Sequence, residues 1–325
     1  MSFVFEGFIL FRISQTTLKW TATLLIKEEA VMSISHLFLW LTACIWGFAF
    51  VAQSTAMDVI GPHTFNAVRF LLATLSLIPL LFVFKVKTPY SKSALFKGSA
   101  AAGTLLFFGF TFQQTGLLYT TAGNAGFITS MYIVMVPLVG LLFKHAVDRL
   151  TWAGLAVALV GFYILTIGPN LSINKGDALE FAGTLFWTGH VLLISYLSRF
   201  LPALPLSIMQ FAVATVWATL TAFTLENPTL SSIELAWWPL VYAGVASSGI
   251  AFTLQTLGQR NVSPSSTALI LSMEAVFAVL GGWLLMGEVL SDRALFGCAL
   301  IFAGMIVSQW PRKTVKLEPT KEVSL

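Results

Sequence analysis

The stretch SSTALILSMEAVFAVLGGWLLM, residues 265–286, decides the fold of this chain. As a helix rising about 1.5 Å per residue, it is long enough to cross a hydrocarbon layer roughly 30 Å thick. Glu274 lies near its middle, where a charged side chain costs about 2.5–3.5 kcal/mol on insertion scales. A carboxylate kept at such a depth indicates function. The structural alternative is a neutral, protonated Glu274 that is hydrogen-bonded to a neighbouring helix.

The composition of the whole chain is that of an integral membrane protein. Of its 325 residues, 57% are hydrophobic and only 10% are charged, and the mean hydropathy is +0.85. Soluble domains contain about one quarter charged residues. Apolar stretches bounded by polar residues or by Gly and Pro predict an all-α integral membrane fold with ten transmembrane helices. The stretches are 34–54, 64–84, 97–116, 122–143, 150–168, 178–198, 204–225, 236–256, 264–286 and 293–310.

Lys and Arg are distributed unequally between the two sides of these stretches. Fifteen of the 18 lie in the terminal segments and in the loops on the same side as the termini. Because cytoplasmic loops are enriched in Lys and Arg, both termini are predicted to be cytoplasmic, with the chain in a bacterial inner membrane. The net charge of +4 therefore reflects orientation and does not indicate nucleic acid binding.

An internal repeat relates the two halves of the chain. A shift of 142 residues aligns identical residues, and one extra residue in the later loop extends the alignment. Because each copy contains five apolar stretches, an odd number, the second copy must be inverted in the membrane, giving two inverted five-helix repeats. The matched pairs are Gln113 with Gln255, Gly116 with Gly258, Ser130 with Ser272, Met131 with Met273, Gly140 with Gly282, Gly154 with Gly297 and Gly161 with Gly304; a shift of 141 aligns Trp46 with Trp187.

The repeat divides the chain into four segments. An N-terminal extension, 1–31, precedes a first repeat, 32–170, a second repeat, 171–310, and a cytoplasmic tail, 311–325. The extension is interrupted by charges, and the character of the chain changes abruptly at Met32. A misassigned start codon is the favoured explanation, and an interfacial amphipathic segment is the alternative.

The sequence predicts no cofactor and no metal site. Cys44 and Cys298 lie inside apolar stretches without a spacing that suggests metal or redox chemistry. The chain contains no P-loop and no H-E-x-x-H motif, which excludes transport driven by ATP within this chain.

Three segments resemble the drug/metabolite transporter superfamily, in particular its ten-helix members with two EamA-type domains. They are IWGFAFVAQ (45–53), FNAVRF (65–70) and SMEAVFAVLGGWLLMGEVLSDRALFGCALIFAGM (272–305). The last is the most specific, since a Glu in the ninth span and a Gly-Glu pair at its end are typical of the family's second domain. The first copy departs from this pattern, with His145-Ala146 where the second copy has Gly287-Glu288.

Such a transporter needs a polar cavity between its halves, and the polar side chains within its apolar spans are candidates to line it. Tyr132 is the repeat equivalent of Glu274, so we expect the two to face each other across the cavity. Gln113 and Gln255 are likewise equivalent and are candidates for a paired gate or for interhelical hydrogen bonds. The full candidate set is Gln53, Asn66, Arg69, Gln113, Gln114, Asn124, Tyr132, His190, Gln210, Gln255 and Glu274, with Trp46 and Trp187 as large walls.

Two of these candidates have strong structural alternatives. Arg69 shares a helix face with Asn66 near the end of its span, where it could meet an anionic group, but snorkelling to the membrane interface is favoured. His190 lies midway along its span, where a packing histidine is favoured over a proton-coupling one.

The resemblance and the cavity candidates together predict a secondary transporter. The expected activity is export of a small organic metabolite or drug, such as an amino acid, by alternating access in the lipid bilayer, with protons as a further partner through Glu274. A nucleotide-sugar or sugar-phosphate antiporter is the runner-up, although its substrates call for intramembrane Lys or Arg. An intramembrane enzyme, tested on Ala246-Ser247-Ser248-Gly249, and a channel are less favoured. Monomer and homodimer both stay open.

Overall fold

The computed structural model describes residues 31–84, 89–120, 122–142, 147–166, 174–287, 291–308 and 310, without the side chains of 122–124, 127, 165, 166 and 294. The described residues are helical and include no strand. The predictions for the N-terminal extension, apart from Val31, and for the tail 311–325 lie outside the described residues. So do those for the His145-Ala146 and Glu288 positions, although Gly287 is described.

The helices follow one another with short connections. Most end where Gly, Pro or a capping side chain interrupts the apolar sequence, as at Ser91, whose Oγ accepts a hydrogen bond from the Ala94 N–H. The helices before the middle of the chain are α1 (Val31–Ala56), α2 (Pro62–Leu77), α3 (Leu80–Val83), α4 (Lys92–Gly116), α5 (Ala122–Ser130), α6 (Tyr132–Leu142) and α7 (Arg149–Thr166). Those after it are α8 (Lys175–Leu197), α9 (Ala203–Leu225), α10 (Leu230–Leu235), α11 (Trp237–Val241), a π-segment (Tyr242–Ala251), α12 (Phe252–Gln259), α13 (Pro264–Leu271), α14 (Glu274–Met286) and α15 (Asp292–Ser308).

Seven helical segments of the described chain are long and apolar enough to cross a membrane. Three shorter apolar helices, Ile128–Leu142, Arg149–Ile164 and Leu295–Ser308, accompany them. The protein is therefore an all-helical membrane protein. The number of ten spans stays a prediction, because the three short helices do not meet the length of a span by themselves.

The bundle is apolar outside and polar inside, as a lipid solvent requires. Large side chains such as Phe82 (81% exposed) and Phe223 (72% exposed) cover the outer surface. Polar side chains are buried in the interior instead, among them Gln53, Gln114 and Arg69, with at most 3% exposed. This distribution concentrates hydrogen-bonding groups between the helices.

Two of the predicted spans are broken at equivalent places. Between α5 and α6 only Met131 interrupts the helix, and between α13 and α14 the interruption is Ser272 and Met273. Tighter hydrogen bonds, such as Met131 N–H to the Ile128 carbonyl and Met273 N–H to the Ile270 carbonyl, mark both breaks. Tyr132 and Glu274 are therefore each the first residue of a second half-helix.

Helices α7 and α15 pack backbone to backbone through glycines. A side chain at Gly154 would collide with the backbone of Gly304, and one at Gly161 would lie 2.7 Å from the carbonyl of Gly297. In the repeat alignment Gly154 is equivalent to Gly297, and Gly161 to Gly304. Each glycine thus contacts the equivalent of the other, which is the crossed pattern that a twofold axis produces.

Candidate functional site

A cavity of about 450 Å³ lies in the middle of the bundle. Side chains from both halves of the chain line it, and none of the lining residues is Lys or Arg. They are Trp46, Ala49, Phe50, Gln53, Phe110, Gln113, Thr129, Tyr132, Trp187, Val191, Ser247, Phe252, Gln255 and Glu274. A mostly apolar cavity with a few convergent polar groups is the usual form of a small-molecule site.

Tyr132 and Glu274 meet in this cavity. The Tyr132 hydroxyl donates a hydrogen bond of 3.1 Å to Glu274 Oε1, and both side chains are buried. The two helix breaks bring them together, because each break leaves its residue at the start of a half-helix that enters the cavity wall. Half-helix starts near the centre of a bundle are where transporters of several folds bind substrates and ions.

An aromatic wall closes one side of the cavity. The Trp46 and Phe252 ring centroids are 4.6 Å apart, and Phe110 meets Trp187 edge-on with the same centroid separation, 4.6 Å. The Trp46 indole N–H donates to the Ser247 carbonyl at 3.0 Å. Because this wall presents ring faces and edges, it suits flat, apolar or cationic parts of a ligand.

Two polar side chains of the cavity have hydrogen-bonding atoms to spare. Gln255 is 1% exposed, and neither its amide oxygen nor its amide nitrogen has a partner among the described residues. The Trp187 indole N–H is also buried without an acceptor in the described part of the chain. Buried polar atoms of this kind ordinarily find a partner, so these three atoms are positioned to bind a ligand or water.

Arg69 does not snorkel to the interface; that interpretation is wrong. Its side chain is fully buried and donates to Gln53 Oε1 at 2.7 Å, Ser248 Oγ at 3.1 Å and Ser247 Oγ at 3.3 Å. Its guanidinium carbon also lies 4.0 Å from the centroid of Phe110. The π-segment supplies both serines, and this local partner set is what the favoured interpretation did not foresee.

Arg69 nevertheless lies one layer behind the cavity. Gln53, Ser247 and Phe110 line the cavity and separate the guanidinium from it. All three hydrogen-bond partners are neutral, so the cation polarises this wall without presenting a charge at its surface.

The matches to known proteins cover almost the whole described bundle. The model of the EamA-like transporter family matches the chain twice, over residues 33–167 and 174–309. The chain belongs to the EamA-like transporter family. It is thus a multi-pass membrane transporter of the drug/metabolite transporter superfamily, which confirms the resemblance carried by the three sequence segments.

Relatives of this EamA-like transporter are also transporters. An uncharacterized transporter of Archaeoglobus fulgidus is 34% identical over 269 residues, covering 82% of this chain and 83% of its own. The uncharacterized inner membrane transporter YedA of Escherichia coli K12 is 28% identical over 276 residues, covering 81% and 87%. A solved crystal structure that is 17% identical superposes with a TM-score of 0.70 over 84% of this chain and 96% of that one, which shows the fold alone.

Six of the predicted site residues of this EamA-like transporter line the one cavity described above. They are Glu274, Tyr132, Gln113, Gln255, Trp46 and Trp187. Among the others, Asn66 donates to the Phe110 carbonyl at 3.2 Å, and His190 Nε2 lies 3.1 Å from Gln210 Oε1. Asn66, Arg69, His190 and Gln210 therefore form a layer behind the wall, because each is held by a neighbouring helix. The side chain of Asn124 lies outside the described residues.

One buried carboxylate escaped the sequence analysis. Glu180 is 1% exposed, and its Oε2 accepts a hydrogen bond of 3.1 Å from the hydroxyl of Thr129, which lines the cavity. Its position at the start of a predicted span, three residues after Asp177, made it look like an interfacial residue. The signal that could have found it is the repeat, because Gly116, which packs against Glu180, is matched to a glycine in the second copy.

Proposed function

We propose that this EamA-like transporter exports small organic metabolites or drugs, amino acids among them, from a bacterial cytoplasm across the inner membrane. Transport proceeds by alternating access, with one inverted five-helix repeat rocking against the other, residues 32–170 against 171–310, in a ten-helix bundle with both termini cytoplasmic. The observation that carries the proposal is the Tyr132–Glu274 hydrogen bond at 3.1 Å inside a cavity lined by both halves.

The substrate class follows from the lining of the cavity. Its polar groups are a carboxyl, a phenol, hydroxyls and amides, and its walls are aromatic. With no Lys or Arg on the lining, the cavity suits a neutral, zwitterionic or cationic molecule better than a phosphorylated one. The spare atoms of Gln255 and Trp187 are matched to a substrate with its own hydrogen-bonding groups.

Proton coupling follows from the position of Glu274. A carboxyl group that must be neutral when its surroundings are dry can bind a proton in one state and release it when water or a cationic substrate enters. The Tyr132 hydroxyl donates to Glu274 and so stabilises the charged form after the proton has left.

The alternative of a nucleotide-sugar or sugar-phosphate antiporter rests on Arg69. Its buried guanidinium is bound to two residues of the cavity wall, and a rearrangement of Gln53 would bring the cation to the cavity. An enzymatic role has weaker support, because Ser247 and Ser248 both accept hydrogen bonds from Arg69 and His190 is paired with Gln210.

The experiment starts from the unknown substrate. A strain that overexpresses the transporter is grown on panels of toxic metabolites, amino acid analogues, drugs and sugar phosphates, and we expect resistance to members of the first three classes. Resistance to phosphorylated compounds alone would favour the antiporter and contradict the export of neutral or cationic metabolites.

The coupling is then measured in proteoliposomes with the substrate so identified. We expect Glu274→Gln to remove the response to an imposed pH gradient while the exposed Glu234→Gln, the same chemical change at the surface, leaves it unchanged. Equal gradient-driven rates in wild type and Glu274→Gln would sink the coupling role.

The topology is tested with an impermeant thiol reagent on intact cells. A cysteine at the exposed Asn227 should be labelled and one at Tyr90 should not, each in a background without Cys44 and Cys298. Labelling at position 90 would refute the orientation.

A further inference from the structure

Glu180 is a buried carboxylate for which the transport cycle proposed above has no use. It lies in the second turn of α8, enclosed by α4 and α5, and is 1% exposed. Oε2 accepts the hydrogen bond from Thr129, whereas Oε1 has no partner among the described residues. A carboxylate with one orphan oxygen is costly to bury, so a neutral form or a functional reason must offset that cost.

Thr129 connects Glu180 to the cavity. Its hydroxyl lines the same cavity as Glu274, donates its proton to Glu180 Oε2 and accepts a hydrogen bond of 3.3 Å from Gln113 Nε2. A hydroxyl is both donor and acceptor, so it can hand its own proton to Glu180 while its oxygen takes another from cavity water. The Gln113 amide only donates here, and it therefore orients the hydroxyl without carrying the proton.

The charged groups around Glu180 have partners of their own. Asp177, one turn earlier, accepts a hydrogen bond of 2.6 Å from the Thr120 hydroxyl, and its other oxygen accepts from the Asn174 N–H at 3.0 Å. The Lys175 ammonium lies 4.6 Å from the ring centroid of Tyr119 at the end of α4. On α6, Tyr132 is bound to Glu274, and α5 contains no titratable residue. None of these groups is hydrogen-bonded to Glu180 in the described structure.

The repeat shows that this arrangement belongs to one end of the bundle only. A side chain at Gly116 would meet Glu180 Oε1 at 2.8 Å, and one at its equivalent, Gly258, would meet Leu39 Cγ at 2.7 Å. Leu39 and Glu180 are 141 residues apart, the shift that also matches Trp46 with Trp187. The carboxylate of one copy therefore replaces a leucine of the other.

We propose that Glu180 is a second proton-binding residue of the transporter, which exchanges its proton with the cavity through the Thr129 hydroxyl. On binding, the Thr129 O–H bond passes its proton to Glu180 Oε2 and a cavity water protonates the Thr129 oxygen; release reverses both steps. Glu180 thus lies at the bundle end that holds Asp177, which the charge distribution predicts to face outward, while Glu274 lies at the centre. The inference rests on the proposed proton coupling and adds a second site and a route to it.

Infrared difference spectroscopy of the purified protein in lipid vesicles tests this without any substrate. The carbonyl stretch of a protonated carboxyl group is recorded through pH steps and through exchange from H₂O to D₂O, in wild type, Glu180→Gln and Glu274→Gln. We expect each variant to lose a separate acid band. We expect the Glu180 band to titrate and to shift in D₂O on the timescale of the cavity, well before the slow amides of the core.

Thr129→Val provides the decisive variant, because it removes the hydroxyl and keeps the shape. We expect the Glu180 band to survive and its deuterium exchange to slow by about tenfold or more, the factor that corresponds to losing one hydrogen bond to a charged group. Thr215→Val is the matched control, since the Thr215 hydroxyl bonds only to the Phe211 carbonyl of its own helix. It should leave the rate unchanged.

Three outcomes would overturn the proposal. They are a Glu180→Gln spectrum that lacks no acid band at any pH, a Glu180 band that exchanges only with the core amides, and unchanged exchange in Thr129→Val. If Glu180→Gln does not fold, Glu180→Asp, which keeps the acid and withdraws it from Thr129, should show the same slowing. Loss of the Glu274 band with a normal Glu180 result would leave the second site standing, and a normal Glu274 result in transport would not rescue an absent Glu180 band.

Discussion

The broken helix of the first half, α5–α6, and that of the second half, α13–α14, share a backbone and differ in chemistry. Ser130 and Met131 are matched by Ser272 and Met273, but the next residue is Tyr132 in one copy and Glu274 in the other. The two unlike residues form the hydrogen bond that crosses the cavity. A phenol can donate to a carboxylate where a second carboxylate would repel it, so the difference is what makes a close pair possible.

The amides beside the two breaks differ in the same way. Gln113 donates to Thr129, which donates to Glu180, whereas Gln255 has no partner among the described residues. The repeat explains this, because Thr129 is matched by Leu271 and Glu180 by Leu39, both fully buried. One copy has a satisfied polar network, and the other leaves its amide free for a ligand.

The strongest break of this comparison is to give both copies the carboxylate. We expect Leu39→Glu to lower the free energy of unfolding by about 3–5 kcal/mol, because no Thr or other donor is available at the position equivalent to Thr129. Apparent unfolding temperatures in detergent measure it, and Leu39→Gln separates the effect of charge from that of polarity. A Leu39→Glu protein as stable as wild type would mean that the two sites are chemically alike.

The glycines that pack on these two positions should respond unequally. Gly258→Ala would collide with the Leu39 side chain at 2.7 Å and with the Ser35 carbonyl at 2.9 Å, whereas Gly116→Ala meets only the Glu180 side chain, whose end can move. We expect a loss of about 1–3 kcal/mol for Gly258→Ala and less for Gly116→Ala. Unfolding temperatures of the two variants, compared side by side, decide the point, and the reverse order would contradict it.

The Tyr132–Glu274 pair is the next smaller effect. Tyr132→Phe removes the donor to Glu274, and we expect it to cost about 1–2 kcal/mol of stability. In a double-mutant cycle with Glu274→Gln, the coupling energy between the two positions should be about 0.5 kcal/mol or more. Additive effects would show that the hydrogen bond contributes nothing to the fold.

The smallest effect has opposite signs in the two copies. Gln255→Leu removes two unpartnered polar atoms and should raise the free energy of unfolding by up to about 1 kcal/mol. Gln113→Leu deprives Thr129 of a donor and should lower it by a similar amount. Export in the resistance assay should fall for Gln255→Leu despite its stability, and a loss of stability instead would indicate a partner that the comparison overlooks.

Particular residues show where sequence reasoning succeeded and failed. The three family segments and the period of about 142 residues identified the family, because apolar spans and matched glycines are local features that survive in sequence. Arg69 was assigned to the interface because its buried partners, Ser247 and Ser248, lie about 180 residues away in a π-segment that has no sequence signature. Glu180 was overlooked because a residue near the end of a span is not distinguishable from an interfacial one without its neighbours.

The sequence by itself determined that the chain is a helical membrane transporter built from a repeat, and that Glu274 and Tyr132 are equivalent positions. These follow from periodicity, composition and length, which act along the chain. Only the tertiary structure decided which polar groups share the cavity, that Arg69 lies behind its wall, and that Gln113 is satisfied while Gln255 is not. A buried hydrogen bond depends on the distance between atoms of different helices, and no local pattern fixes that distance.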